Sequence, residues 1–155
     1  MTASGTLLLR GGGGAVELTV VGGGIAVVGD SITVSIESRV VPPHDWPPVA
    51  SFCMDGAQLP PGGLRAGLRL HSDFSARQQE LASSQLPKVH AYFTFHAVDV
   101  VLTLHFLAVT EAGASVRLEA TSEDVDYYDE RAQQAVWSGE CTLPFQPLAK
   151  LWVPK

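Results

Sequence analysis

The sequence predicts a mainly β protein: an antiparallel β-sandwich or jelly-roll-like fold with one or two short helices. Three observations carry that expectation. Ile32, Val34, Ile36 and Val40 alternate with Thr33, Ser35, Glu37 and Arg39, which is the period of a strand with one buried and one wet face. Glycine runs at Gly11–Gly14 and Gly22–Gly24 separate short apolar segments, as tight turns do in a meander. The stretch from Val89 to Thr121 is the longest apolar run and is long enough for two or three strands.

Taken in order, residues 6–9, 15–21 and 25–28 read as short strands joined by the glycine turns, and Asp30 leads into the alternating strand that ends at Val40. Pro42–Gly63 then interrupts the pattern. Its six prolines and three glycines argue against a long regular element. The expectation is a long connection, either a lid or a crossing between sheets with Trp46 and Phe52 in the core. Leu64, Ala66, Leu68 and Leu70 alternate with Arg65, Arg69 and His71 as another half-buried strand. Asp73 or Ser75 caps a short helix that Pro87 stops.

In the central stretch, Val89–Ala97 and Val98–Val109 are expected to pair as a core hairpin. Phe93, Phe95, Leu102, Leu104 and Phe106 would lie on its inner face. Tyr92, His96, Val101 and Leu107 would form a second, unexplained face, either covered or held at an interface. Glu111–Ala114 is a hairpin-length turn, and Val116, Leu118 and Ala120 alternate beyond it. Ser122, followed by acidic residues, is placed to open a helix through Trp137. Glu140–Leu143 reads as a last strand.

The chain of 155 residues is read as one domain, 1–155, with enough apolar sequence to build its own core: 46% of residues are hydrophobic. The formal net charge is -6 with only three lysines, which argues against a nucleic-acid backbone as partner. Leu7–Leu9 is too short a run for a signal peptide. The apolar segment Val98–Val109 is interrupted by Asp99 and His105, so no membrane span and a cytoplasmic location are expected. Cys53 and Cys141 form no metal-ligand spacing and are expected as buried free thiols, with a disulfide as the alternative for an exported protein.

Few residues suggest chemistry. Gly22 and Gly24 match the start of a dinucleotide fingerprint. Val27 stands where its third small residue belongs, and the sequence that follows is strand-like. There is no nucleophile elbow and no phosphate loop with its lysine, so no catalytic residue and no cofactor are assigned. His90, His96 and His105 would approach one another in the expected hairpin, which makes them a candidate ligand or metal set of unrecognised spacing. The acidic run Glu123, Asp124, Asp126, Asp129 and Glu130, with Tyr127 and Tyr128 inside it, lacks the central glycine of a calcium loop. Tyrosines give contact area at low entropic cost, and carboxylates around them steer a basic protein.

The leading expectation is therefore a non-enzymatic interaction domain of the immunity or inhibitor type, with Glu123–Glu130 as its partner-binding patch. Two alternatives stand beside it. One is a structural subunit of a homodimer or larger homo-oligomer. The other is a small-molecule or metal-binding domain with the proline-rich loop as lid.

Overall fold

The computed structural model describes residues 1–11, 14–40, 49–74, 88–93, 95–96, 100–123 and 134–151. They form ten strands: β1 (Ser4–Gly11), β2 (Gly14–Val28), β3 (Ser31–Val40), β4 (Val49–Gln58), β5 (Arg69–Phe74), β6 (Lys88–Phe93), β7 (Phe95–His96), β8 (Val100–Val109), β9 (Gly113–Glu123) and β10 (Gln134–Pro144). A single 3-10 turn, Leu148–Lys150, follows. No helix among the described residues is long and apolar enough to cross a membrane.

All ten strands belong to one antiparallel sheet in the order β5-β8-β9-β10-β1-β2-β3-β4-β6-β7. β6, near one end of that order, comes close to β5 and β8 at the other end, so the sheet curls into a nearly closed, barrel-like form. The expected sandwich or jelly roll of two facing sheets is thus replaced by one rolled sheet. The cause lies in long strands with bulges. β2 runs 15 residues, and register shifts occur at Val20/Gly22, Ile32/Val34 and Phe106/Ala108. Bulges increase local twist and let a sheet curl upon itself.

Three further expectations change. Val49–Gln58 is a full strand, although it lies inside the proline-rich stretch. The prolines sit at its flanks, and Val49 to Leu59 contains none, so every residue can donate to a ladder. The core hairpin is absent: β6 pairs with β4 and β7, whereas β8 pairs with β5 and β9. β4 offers β6 a ladder that a reading without β4 must assign to β8. The helix expected from Ser122 to Trp137 is ruled out at both ends, because Ser122 and Glu123 finish β9 and Gln134–Trp137 begin β10. The helix expected near 75–84 lies outside the described residues.

Gly22–Gly24 is neither a turn nor a phosphate loop. It lies within β2, next to the bulge, and Gly23 has φ +116. A Cβ on Gly23 would stand 2.1 Å from the Ser35 carbonyl oxygen, so only glycine lets β2 and β3 approach here.

The barrel interior is a single apolar cluster drawn from every long strand. It includes Leu7, Leu18, Ile25, Ile36, Phe52, Leu104, Phe106, Leu118, Trp137 and Leu143. Phe52 of β4 and Trp137 of β10 are separated by three strands in the sheet order, β3, β2 and β1, yet their rings meet edge to face at 4.9 Å. Side chains therefore fill the interior from wall to wall.

Alternating strand direction sorts the connections onto two rims. At the upper rim lie the ends of β1, β3, β5 and β9 and the starts of β2, β4, β8 and β10. At the lower rim lie Gly29–Asp30, the segment 59–68, the turn 110–112 and the segment 145–151.

Candidate functional site

The connection that contains the candidate partner-binding segment leaves and re-enters the sheet at the upper rim. β9 releases the chain at Glu123 and β10 takes it back at Gln134, directly opposite. From that pair the ladder runs without a bulge to Gly113 opposite Pro144, the longest unbroken ladder in the sheet. Just inside the rim, the buried Trp137 donates its indole N–H to Ser122 Oγ at 3.1 Å. Trp137 also packs against Phe52, so the base of the segment is tied to the far wall of the barrel. Of the predicted patch, Glu123 stands at the last paired position of β9. Asp124, Asp126, Tyr127, Tyr128, Asp129 and Glu130 lie outside the described residues.

The histidines lie on three strands, of which β6 and β7 pair with each other and β8 with neither. His90 on β6 is in register with Cys53 on β4, and His96 on β7 is opposite Tyr92 on β6. His105 is on β8, with Arg69 of β5 and Arg117 of β9 as its cross-strand neighbours. Its Nε2 lies 3.6 Å from Glu119 Oε2. Arg117 in turn donates from Nε and Nη2 to Glu140 Oε1, at 3.2 and 2.9 Å. This part of the outer face is a solvated charged surface. On the same face, the buried Thr103 and the exposed His71 are joined by a hydrogen bond of 2.7 Å between Thr103 Oγ1 and His71 Nδ1. Val101 is half-buried and Leu107 exposed, so the second face of β8 is the outside of the barrel rather than a pocket. No group of three or more His, Cys, Asp or Glu among the described residues is arranged to hold a metal ion.

A second part of the outer face is dry. Thr33 and Ser35 were expected on the wet side of β3, yet both are buried. Ser35 is in register with Gly24 on β2 and Cys53 on β4. A Cβ on Gly24 would come within 3.1 Å of Leu151 and Gln146, so the segment after β10 folds back over this edge of the patch. Thr33 Oγ1 donates to Asp55 Oδ1 at 3.3 Å and accepts from the Gly56 N–H at 3.2 Å. Ser35 Oγ, by contrast, is buried and has no hydrogen-bond partner.

The cysteines are free. Cys141 belongs to the interior cluster, whereas Cys53, in line with Ser35, is on the outer side of the wall. The barrel wall separates the two thiols. Burial, with a smaller contribution from the Asp55 charge, pushes the Cys53 thiol up to about 12. Burial alone does the same for Cys141, also to about 12. Thiols held protonated at neutral pH are poor nucleophiles and poor metal ligands.

The lower rim was not anticipated from sequence. A pocket of about 460 Å³ opens there, lined by Ile25, Val27, Leu64, Val109, Phe145, Gln146 and Pro147. Its residues come from four separate segments, so no local pattern marks it. The exposed valines at the end of β2 were the nearest available signal.

The chain matches no protein-family model, no curated protein and no solved structure.

Proposed function

We propose that the protein is a non-enzymatic protein-binding domain that presents Glu123–Glu130 at its upper rim to a basic partner, as an immunity or inhibitor protein does. One observation supports this reading: the connection that contains the segment leaves the sheet at Glu123 and returns at Gln134, which face each other at the end of an unbroken ladder beside the Ser122–Trp137 hydrogen bond. A fixed base reduces the ordering entropy that an acidic binding segment must lose on association. The apolar interior supports the same reading, because Phe52 and Trp137 meet across it and occupy space that a carrier would leave to its ligand. The net charge of -6 favours encounter with a basic surface. The thiols, held protonated by burial, weigh against a metal site built on cysteine.

The test is retention of a partner by immobilised protein from its source extract, set beside a variant carrying Asp124→Asn, Asp126→Asn, Asp129→Asn and Glu130→Gln. The expected result is one stoichiometric basic protein that the wild type holds, that added salt releases and that the variant fails to hold while keeping its melting temperature. Equal retention by both proteins, or no specific partner, would overturn the reading.

A further inference from the structure

We infer that residues 152–155 form a strap that continues from Leu151 across the outer face of β3 and β4, seated in a trough floored by Gly24, Ser35 and Cys53, and that its seating controls access to Cys53. This inference does not depend on the acidic segment.

The trough follows from the register. Gly24, Ser35 and Cys53 are cross-strand neighbours on β2, β3 and β4. Ile25, Val34, Ile36, Phe52 and Met54, their chain neighbours, belong to the interior cluster, so all three face outward. None has a side chain larger than a thiol. Ala26 and Thr33, opposite each other on β2 and β3, extend the low floor by one row. Small outward residues are normally open to water, yet Ser35 and Cys53 are 0% exposed and Ala26 and Thr33 4%. The floor is therefore covered. At Ser35 the cover is apolar, because the buried hydroxyl has no hydrogen-bond partner.

The segment after β10 begins that cover and sets its direction. At Ile25 one side of β2 is paired with β3, so Phe145 bridges Ile25 from the other side, the one that β1 takes further along. The Gln146 N–H fastens this approach to the Ile25 carbonyl at 2.9 Å. The chain then turns through Leu148–Lys150 and lays Leu151, itself buried, on the outer face. A Cβ on Gly24 would stand 3.1 Å from both Leu151 Cδ2 and Gln146 Cγ. The path thus runs from the β1 side of β2 over Gly24, and the next strand ahead is β3, with Ser35 opposite Gly24.

Reach and chemistry select the tail over a separate partner. Leu151 leaves the turn with extended backbone, φ -86 and ψ 144. An extended residue advances about 3.3 Å and neighbouring strands lie about 4.8 Å apart, so three residues span the distance of roughly 10 Å from β2 to β4. The three that follow Leu151 are Trp152, Val153 and Pro154, all apolar, as the dry hydroxyl of Ser35 requires. Trp152 comes first, and its flat ring suits a row of small residues. A separate partner would have to enter a trough whose first position Leu151 already fills. A short strap opens more readily than the sheet beneath it. Lifting it bares Cys53 on the outer face, while Cys141 stays inside the barrel.

Labelling with N-ethylmaleimide at pH 8, resolved by mass spectrometry into the Cys53 and Cys141 peptides, tests the proposal. Both thiols are expected to be protected in the full chain. In a chain that stops at Leu151, Cys53 should react at least roughly tenfold faster while Cys141 is unchanged, as expected for local rather than global opening. Trp152→Ala and Leu151→Asp in the full chain should also speed the labelling of Cys53, and Trp152→Phe should preserve its protection. Melting curves establish that each variant folds. A shortened chain whose Cys53 stays as protected as in the full chain would assign the cover to another segment and overturn the proposal. Equal acceleration at Cys53 and Cys141 would mean that the tail holds the barrel together rather than covers the trough, and would equally overturn it.

Discussion

Phe52 and Trp137 meet edge to face inside the barrel, their ring centroids 4.9 Å apart and their planes at 82°. One residue comes from β4 and the other from β10, so the contact joins opposite walls and makes the interior a packed core. Replacing either by Ala is expected to cost roughly 3–5 kcal/mol. The double variant should lose less than the sum of the two, by about 0.5–1.5 kcal/mol for the aromatic pair. Urea unfolding of the four proteins of the cycle measures this, and strict additivity would refute a direct contact.

Two buried serines are predicted to behave oppositely. Ser122 accepts the Trp137 indole N–H, so Ser122→Ala removes a buried hydrogen bond and should cost about 0.5–1.5 kcal/mol. Ser35 Oγ has no partner, so Ser35→Ala removes only a desolvated hydroxyl and should be neutral or stabilising by about 1 kcal/mol. Thermal unfolding of the two variants side by side gives the comparison. A loss at Ser35 as large as that at Ser122 would contradict it.

The thiols predict both reactivity and pH dependence. Cys53 and Cys141 are buried, and burial pushes both thiols from an ordinary value of 9.0 up to about 12. The native protein should leave a thiol reagent unconsumed at pH 8, and two equivalents should react once it is unfolded. Above pH 9 the unfolded thiols lose protons that the folded thiols keep. The unfolded state then binds fewer protons, and stability falls as pH rises from about 9 to about 12. Below about 9 both states hold the proton and the contribution is complete. A Cys53→Ala, Cys141→Ala double variant should show a shallower alkaline decline, although its cavities lower its stability at neutral pH.

Two glycines with positive φ should respond differently to alanine. Gly23 has φ +116, and a Cβ there meets the Ser35 carbonyl at 2.1 Å, so Gly23→Ala is expected to cost on the order of 3 kcal/mol. Gly29 has φ +59 in the β2–β3 turn with nothing within 4 Å, so Gly29→Ala carries only the left-handed backbone cost of roughly 1–2 kcal/mol. Asn should recover part of that cost at Gly29 and none at Gly23. Melting temperatures of the four variants decide the matter.

The exposed pair of Arg117 and Glu140 should matter little. Although its contact is 2.9 Å, both side chains are about half exposed, and Arg117→Ala is expected to cost less than about 1 kcal/mol. Chemical denaturation at low and high salt checks it: a cost that survives high salt would mean that the arginine stem, rather than its charge, carries the effect.

The sequence by itself determined the class of the fold, because period-two alternation is a local property. Ile32, Val34 and Ile36 face the core as their spacing predicts, and so do Leu102, Leu104 and Phe106. Turn chemistry was equally legible at Asp30 and at Glu111–Ala114, where small residues end one strand and begin the next. β4 is masked in the sequence by the prolines that crowd both its flanks, although Val49–Gln58 itself is free of proline.

The tertiary structure decided which strands are neighbours. Alternation states that a strand has two faces and is silent about which strand lies beside it, so β6 was matched with β8 when its partners are β4 and β7. That one difference leaves His105 on a strand that pairs with neither the strand of His90 nor that of His96. Only the rolled sheet dries the outer positions Ser35 and Cys53, unites four separate segments into the lower pocket, and brings Glu123 opposite Gln134 at the upper rim. The acidic run was readable from composition. Its mounting on the β9–β10 ladder depends on pairing between residues distant in sequence, and such pairing is settled by packing across the whole barrel rather than by any local pattern.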